Sequence, residues 1–181
     1  MKRICSVFFV ILGLCSQALI AQEMEQCSDH AEYSELDFWL GEWEVFAGDE
    51  KQGHNRIEKI LGDCIVMEHW VGAGGNMGKS VFYYDLAQKT WKQLWFTQWA
   101  RHPGGIKEKT LVRKFTDGGV RFQGVITKAD GDTYLDRTTL TPMENGNVRQ
   151  LIEISKDDGE NWQATFDAVY KRRTSPAPNR G

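Results

Sequence analysis

Ten short runs of alternating apolar and polar residues, separated by residues that tolerate positive φ, limit what this chain can fold into more than any other feature. The runs span 42–47, 54–61, 64–71, 80–85, 91–98, 109–115, 120–127, 133–141, 148–155 and 162–171. A period of two is the signature of a half-buried strand. Between the runs lie Gly62-Asp63, the glycine-rich 72–78, Asp117-Gly118-Gly119, Asp130-Gly131-Asp132 and Asn145-Gly146, all suited to tight turns. Consecutive antiparallel hairpins follow, at the spacing of an all-β barrel or sandwich. The chain has no internal repeat and no heptad pattern.

Leading into the first run, the stretch Leu36-Asp37-Phe38-Trp39-Leu40-Gly41-Glu42-Trp43-Glu44-Val45-Phe46 packs three large aromatics and a glycine between Phe38 and Val45. It reads as a helical turn feeding a strand: Ser34 caps the turn, Glu35 and Asp37 suit its positive end, and Gly41 ends it. Its aromatics then plug one end of whatever the strands enclose.

The run DFWLGEWEV, followed in order by GDCIVMEHWVGAGG, GKSVFYYD, WKQLWF, VRQLIEISKDDGENW and FDAVYKRR, resembles an uncharacterised family of lipocalin-like β-barrel proteins. That family is related in shape to nitrobindins and fatty-acid-binding proteins, and the likeness runs over 38–172. It implies an antiparallel up-and-down β-barrel of about ten strands with a short N-terminal helical turn plugging one end. It brings no reaction and no ligand with it. A nitrobindin-like barrel would place a haem-ligating histidine on the C-terminal strands; none occurs there, so no haem and no other cofactor is expected.

Residues 1–21 read as a secretory signal: Lys2 and Arg3, an apolar segment over 4–14, a more polar Cys15-Ser16-Gln17 and a small residue at Ala21. The other reading is a membrane anchor, but the segment is short and interrupted for a stable span. Lipid attachment is disfavoured because Leu14, not a small residue, precedes Cys15. The expected organisation is a signal at 1–21, an N-terminal arm at 22–33, the barrel domain at 34–173 and a disordered tail at 174–181 that carries Pro176 and Pro178. Periplasmic or secreted localisation follows. Losing Lys2 and Arg3 takes the net charge from -3 to -5, with both signs interspersed, so nucleic acid is not an expected partner.

With Cys5 and Cys15 inside the signal, Cys27 and Cys64 are the pair left in the mature chain. An oxidising compartment permits one disulfide tying the arm to the third strand; the alternative is two free thiols with Cys64 buried. Two cysteines alone do not make a metal site, and His30, His54, His69 and His102 show no ligand spacing, so no metal is expected. His69 and Glu68 are adjacent on a strand and point apart, which argues against an acid–base dyad.

Three further stretches have a structural reading. Gly78-Lys79-Ser80 copies the end of a phosphate-binding loop, but Ala73 stands where the first glycine belongs and a strand follows, so the stretch reads as a plain turn. Ser155-Lys156-Asp157-Asp158-Gly159-Glu160-Asn161-Trp162 matches the Asp-box turn except for Asn161 in the threonine position, and reads as a hairpin anchored by its tryptophan. Trp162, Ala164, Phe166, Ala168 and Tyr170 share one face and read as inward. In the run from Trp91 to Phe96, Trp91 and Trp95 lie on one face and Leu94 and Phe96 on the other. Its outer side therefore calls for a cover, either the N-terminal segment or a second subunit in a homodimer.

The polar residues on otherwise apolar strands are Glu68 beside Trp70, Ser80 with Tyr84, Gln93 between Trp91 and Trp95, and Arg137 between Asp136 and Thr138. Facing a lumen, Glu68 and Arg137 would pair, because a buried lone charge is costly. Facing outward, Glu68 is an ordinary solvated strand residue. The expected ligand-binding set is Trp43, Glu68, Trp70, Ser80, Phe82, Tyr84, Gln93, Trp95, Arg137 and Phe166, around a small hydrophobic or amphipathic molecule. A barrel filled by its own side chains as a structural or interaction domain, and a lumen enzyme using Glu68, are the other two readings. No catalytic residue is assigned.

Overall fold

Residues 25–99 and 102–173 are described by a computed structural model, and the expected signal (1–21) and tail (174–181) lie outside them. Ten strands form one closed antiparallel barrel: β1 (Gly41–Ala47), β2 (Glu50–Ile60), β3 (Ile65–Gly72), β4 (Met77–Asp85), β5 (Thr90–Thr97), β6 (Ile106–Lys114), β7 (Val120–Thr127), β8 (Thr133–Pro142), β9 (Val148–Ser155) and β10 (Gln163–Arg172). Each strand pairs with its neighbour in sequence, and β1 closes on β10 from Trp43↔Arg172 to Phe46↔Val169. Closure leaves no strand edge unpaired, and its up-and-down order is the one expected.

β2, β4 and β6 begin three or four residues before the runs that the alternation marks out, all at the same end of the barrel. Glycine is the reason in two of them. Gly53 pairs with Val45 and Gly72, and Gly78 pairs with Trp70 and Thr97, so both lie within the ladder rather than in turns. A Cβ on Gly78 would collide with the Trp95 ring, and one on Gly53 with the Trp70 ring and the Val71 carbonyl. These glycines clear space for two inward tryptophans. Gly78-Lys79-Ser80 is therefore strand and not the plain turn expected of it.

Three 3-10 turns, Cys27–Asp29, Ala31–Ser34 and Asp37–Trp39, close the other end. Ser34 does not cap the last of them: it ends the middle turn, and the N-cap is Leu36, which makes no side-chain capping bond. Burial holds the turn instead. Leu36 and Trp39 are fully buried, and a leucine taken wholly out of water contributes about 1.5–3 kcal/mol. Trp39 meets Phe82 and Tyr170 edge-on, while Tyr33 packs against Tyr84 and Trp91. Trp43 Nε1 donates to the Trp39 carbonyl at 2.9 Å, and Trp91 Nε1 to the Glu32 carbonyl at 3.1 Å. Cys27 and Cys64 are disulfide-bonded, fastening the first turn to the residue before β3. The N-terminal segment thus covers the barrel's end and not the outer side of β5, where Leu94 is half-buried and Phe96 exposed.

In β10 a bulge between Ala164 and Phe166 resets the alternation. Phe166, Ala168 and Tyr170 face inward as expected; Trp162 and Ala164 do not. Ala164 is exposed, and Trp162 lies under the Arg137 guanidinium, 3.8 Å from its ring centre. The turn before Trp162 is built as an Asp-box. The Gly159 amide donates to Ser155 Oγ at 2.9 Å, the Asn161 amide to Asp157 Oδ1 at 2.9 Å, and Trp162 Nε1 to the Gly159 carbonyl at 3.0 Å. Backbone and side-chain donors from Asn161 and the Ser155 hydroxyl hold the Asp157 carboxyl down to about 2. No helix among the described residues is long and apolar enough to cross a membrane.

Candidate functional site: a half-filled lumen

The lumen divides into two halves. Toward the N-terminal turns it is solid: Trp39, Trp43, Phe82, Trp91, Phe122 and Leu140 are all fully buried there. Toward the opposite end lies a cavity of about 360 Å³ that reaches the strand ends at Gln52 and Asn76. That volume falls within the roughly 300–1,000 Å³ usual for small-molecule sites.

One side of the cavity is apolar, formed by Trp70, Trp95, Ile152 and Phe166. Trp70 and Phe166 meet edge-on with ring centres 6.1 Å apart, and all four side chains are only partly buried. Trp70 and Trp95 are backed by the two in-strand glycines, which fixes where their rings lie.

The rest is polar and arranged as two clusters. At the boundary with the filled half, Glu68 accepts from Asn55 Nδ2 at 2.7 Å and from Ser80 Oγ at 2.5 Å. Gln93 Nε2 donates to Ser80 Oγ at 3.2 Å, and the Tyr170 hydroxyl donates to Gln150 Oε1 at 2.7 Å. Burial drives the Glu68 carboxyl above its ordinary 4.5, more than its hydrogen bonds and the charge of Lys109 draw it down. Burial, helped by the Glu68 charge, likewise holds Tyr170 as a neutral phenol. Gln93 Oε1 is buried on the cavity wall with no hydrogen-bond partner among the described residues.

The second cluster joins β6 to β8 across β7. Asp136 Oδ2 accepts from Lys107 Nζ at 2.7 Å, and Asp136 Oδ1 lies 2.5 Å from Lys109 Nζ, which also donates to Thr138 Oγ1 at 2.6 Å. The intervening residue is Gly124, which pairs with Asp136. A Cβ there would strike the Glu108 carbonyl, so glycine lets β6 approach closely and puts no side chain between the lysines and their carboxylate. Asp136 is fully buried and Lys109 is 4% exposed. Burial alone would raise Asp136, but the two lysines outweigh it and its carboxyl is held low. Burial opposes the Lys107 charge too, yet Asp136, with a smaller part from Tyr134, overcomes it and raises that lysine. For Lys109 burial wins, and its ammonium is held below the usual 10.5.

Of the residues expected at the site, Glu68, Trp70, Gln93, Trp95 and Phe166 line the cavity, and Ser80 supports Glu68 from behind. Trp43 and Phe82 belong to the filled half, and Tyr84 packs on Tyr33 and Trp91 at the plugged end. Arg137 is on the outside of the barrel. It does not pair with Glu68 but makes a two-pronged bond to Glu153 at 2.7 and 2.8 Å, because β8 turns Asp136 and Thr138 inward and Arg137 outward. Glu68 itself is inward, with Val66 and Trp70 on its face, and His69 points out to Glu58 and Lys79. Lys107, Lys109, Asp136, Thr138, Gln150 and Tyr170 were not legible as site residues. Compared with models of known protein families and with curated proteins, the sequence matches none.

Proposed function

We propose that this barrel binds one small amphipathic molecule in the unfilled half of its lumen, as an exported protein of the periplasm or extracellular space. The observation that carries the reading is the cavity's two-sidedness: three aromatic rings and Ile152 on one side, hydrogen-bonding and charged groups on the other. Apolar burial supplies affinity at about 25 cal/mol per Å² taken from water, less the cost of association. The buried acceptor Gln93 Oε1 fits the same reading, since it stands on the cavity wall where an occupant's donor can reach it. The basic start and apolar segment over 4–14 support export, as does the Cys27–Cys64 disulfide, a bond that persists in oxidising compartments. Trp70 and Trp95 report occupancy. Intrinsic fluorescence should respond to some members of a panel of apolar and amphipathic compounds, and Ile152→Trp, which fills the cavity, should abolish that response without loss of folding. A silent panel, or equal responses from both proteins, would refute the reading.

A second reading is favoured by one observation: Glu68 is a buried carboxyl beside the cavity whose proton affinity burial raises, the direction that suits a proton donor. A lumen enzyme would use it as a general acid. In that case Glu68→Gln would abolish turnover of a bound compound while leaving its binding intact, whereas a binding module would show no turnover to lose.

A further inference from the structure

We infer that the occupant of the lumen carries a single anionic head group, which lies against Lys107 and Lys109 while a compact apolar body rests on Trp70, Trp95 and Phe166. This inference rests on the binding reading and specifies its ligand class. It follows from counting charges and donors on the cavity wall. Two ammonium groups share one carboxylate, Asp136, at 2.7 and 2.5 Å. Among the described residues the other acid on the wall is Glu68, whose oxygens are engaged by Asn55 and Ser80; it senses the Lys109 charge, but burial, the larger effect, pushes it toward its uncharged form. The Lys–Asp–Lys cluster thus sets two ammonium groups against one carboxylate.

Donors are left over as well. An ammonium has three N–H groups. Lys109 donates to Thr138 and lies against Asp136 Oδ1 as an ion pair, and Lys107 donates to Asp136 Oδ2. One donor on each lysine is thus available to an anion that bridges them, and Lys107, 20% exposed, gives the head group access to the deeper Lys109. A cationic head group meets the opposite situation: it adds a third positive charge beside one carboxylate that both lysines already occupy. A neutral head group gains one hydrogen bond and brings no second negative charge to the two ammonium groups.

The test compares three probes that share one ring system: 2-naphthoate, 2-naphthylmethanol and 2-naphthylmethylammonium, titrated calorimetrically into the full mature chain at neutral pH and constant ionic strength. A charge-assisted bond to a partly buried lysine outweighs a neutral one, so naphthoate is expected to bind about tenfold more tightly than the alcohol, with the ammonium compound weakest. Lys109→Met should reduce naphthoate to the affinity of the alcohol without weakening the alcohol. Lys107→Gln, on the more exposed side and safer for folding, should remove part of the preference. Equal affinities for naphthoate and the alcohol in the unmodified protein, or a preference for the cation, would overturn the head-group inference while leaving the binding reading intact. No binding of any probe, and no fluorescence response to the wider panel, would overturn both.

Discussion

Asp136→Asn removes a fully buried carboxylate from between two ammonium groups, and the geometry gives the size of the effect. Breaking a buried ion pair from one side leaves an uncompensated charge and costs about 3–5 kcal/mol. Lys109 carries most of that cost because it is 4% exposed, whereas Lys107 at 20% reaches solvent. For a domain of this size a urea m-value of about 1.5 kcal/mol per molar converts the loss into a midpoint about 2–3 M lower. The deficit is pH-dependent in a known direction. Burial holds the Lys109 ammonium below 10.5, and losing its carboxylate lowers it further. Between that lowered value and 10.5 the unfolded chain binds more protons than the native state, so stability rises with pH. The wild type gains in the same way only above its own, higher Lys109 value, so the deficit of Asp136→Asn should shrink as pH rises toward that value and then level off. In a Lys109→Met background the same substitution should cost less than half as much, since the charge it strands is then the partly solvated one. Urea unfolding followed by tryptophan fluorescence at several pH values, in both backgrounds, reads all three effects. A loss below about 1 kcal/mol, a loss independent of pH, or an equal loss in both backgrounds would refute the reasoning.

Glu68→Gln should stabilise the protein, increasingly so as pH rises from 4.5: burial raises this carboxyl in the native state, so the wild type loses stability through that range while glutamine does not titrate. Lower stability of the variant above neutral pH, measured by urea unfolding, would contradict the burial account. Cys64→Ser opens a cross-link spanning 37 residues and should cost about 3–4 kcal/mol by the loop-entropy relation; non-reducing peptide mapping should recover the Cys27–Cys64 pair from the native chain. Gly124→Val should unfold the barrel or cost several times a typical surface change of about 0.5 kcal/mol, because its side chain has no place between β6 and Asp136; an unchanged melting curve would show that the approach of β6 does not require glycine. Intact mass of the protein recovered outside the cytoplasm should lack the first 21 residues, and a product retaining Met1 would exclude the signal reading.

The hairpin turns and the clean alternations made the architecture legible: Val120, Phe122 and Ile126 state the inward face of β7 without ambiguity, and Asp130-Gly131-Asp132 and Asn145-Gly146 state the turns on either side of β8. The strand starts at the cavity end were hidden because Gly53 and Gly78 look like turn residues, and their role as floor for tryptophan rings depends on neighbours that only register supplies. β8 defeated parity reasoning for a similar cause. Leu135 and Leu140 are apolar at opposite parities, so Arg137 and Asp136 had equal claims on the interior, and pairing alone decides for Asp136. Lys107 and Lys109 were missed because a lysine in a mixed run reads as solvated. The carboxylate that makes their burial tolerable lies on β8, two strands away, and is reached over a glycine. In β10, one bulge was enough to send Trp162 and Ala164 outside.

Native mass spectrometry of the protein purified from its source tests the central claim most directly. The account predicts a non-covalent adduct of one small molecule per chain, released on denaturation, negatively charged when recovered, and absent from Ile152→Trp prepared in the same way. Protein that carries no adduct, and whose unfolding and fluorescence respond to no compound in the panel, would contradict the claim that the unfilled half of the lumen is a binding site.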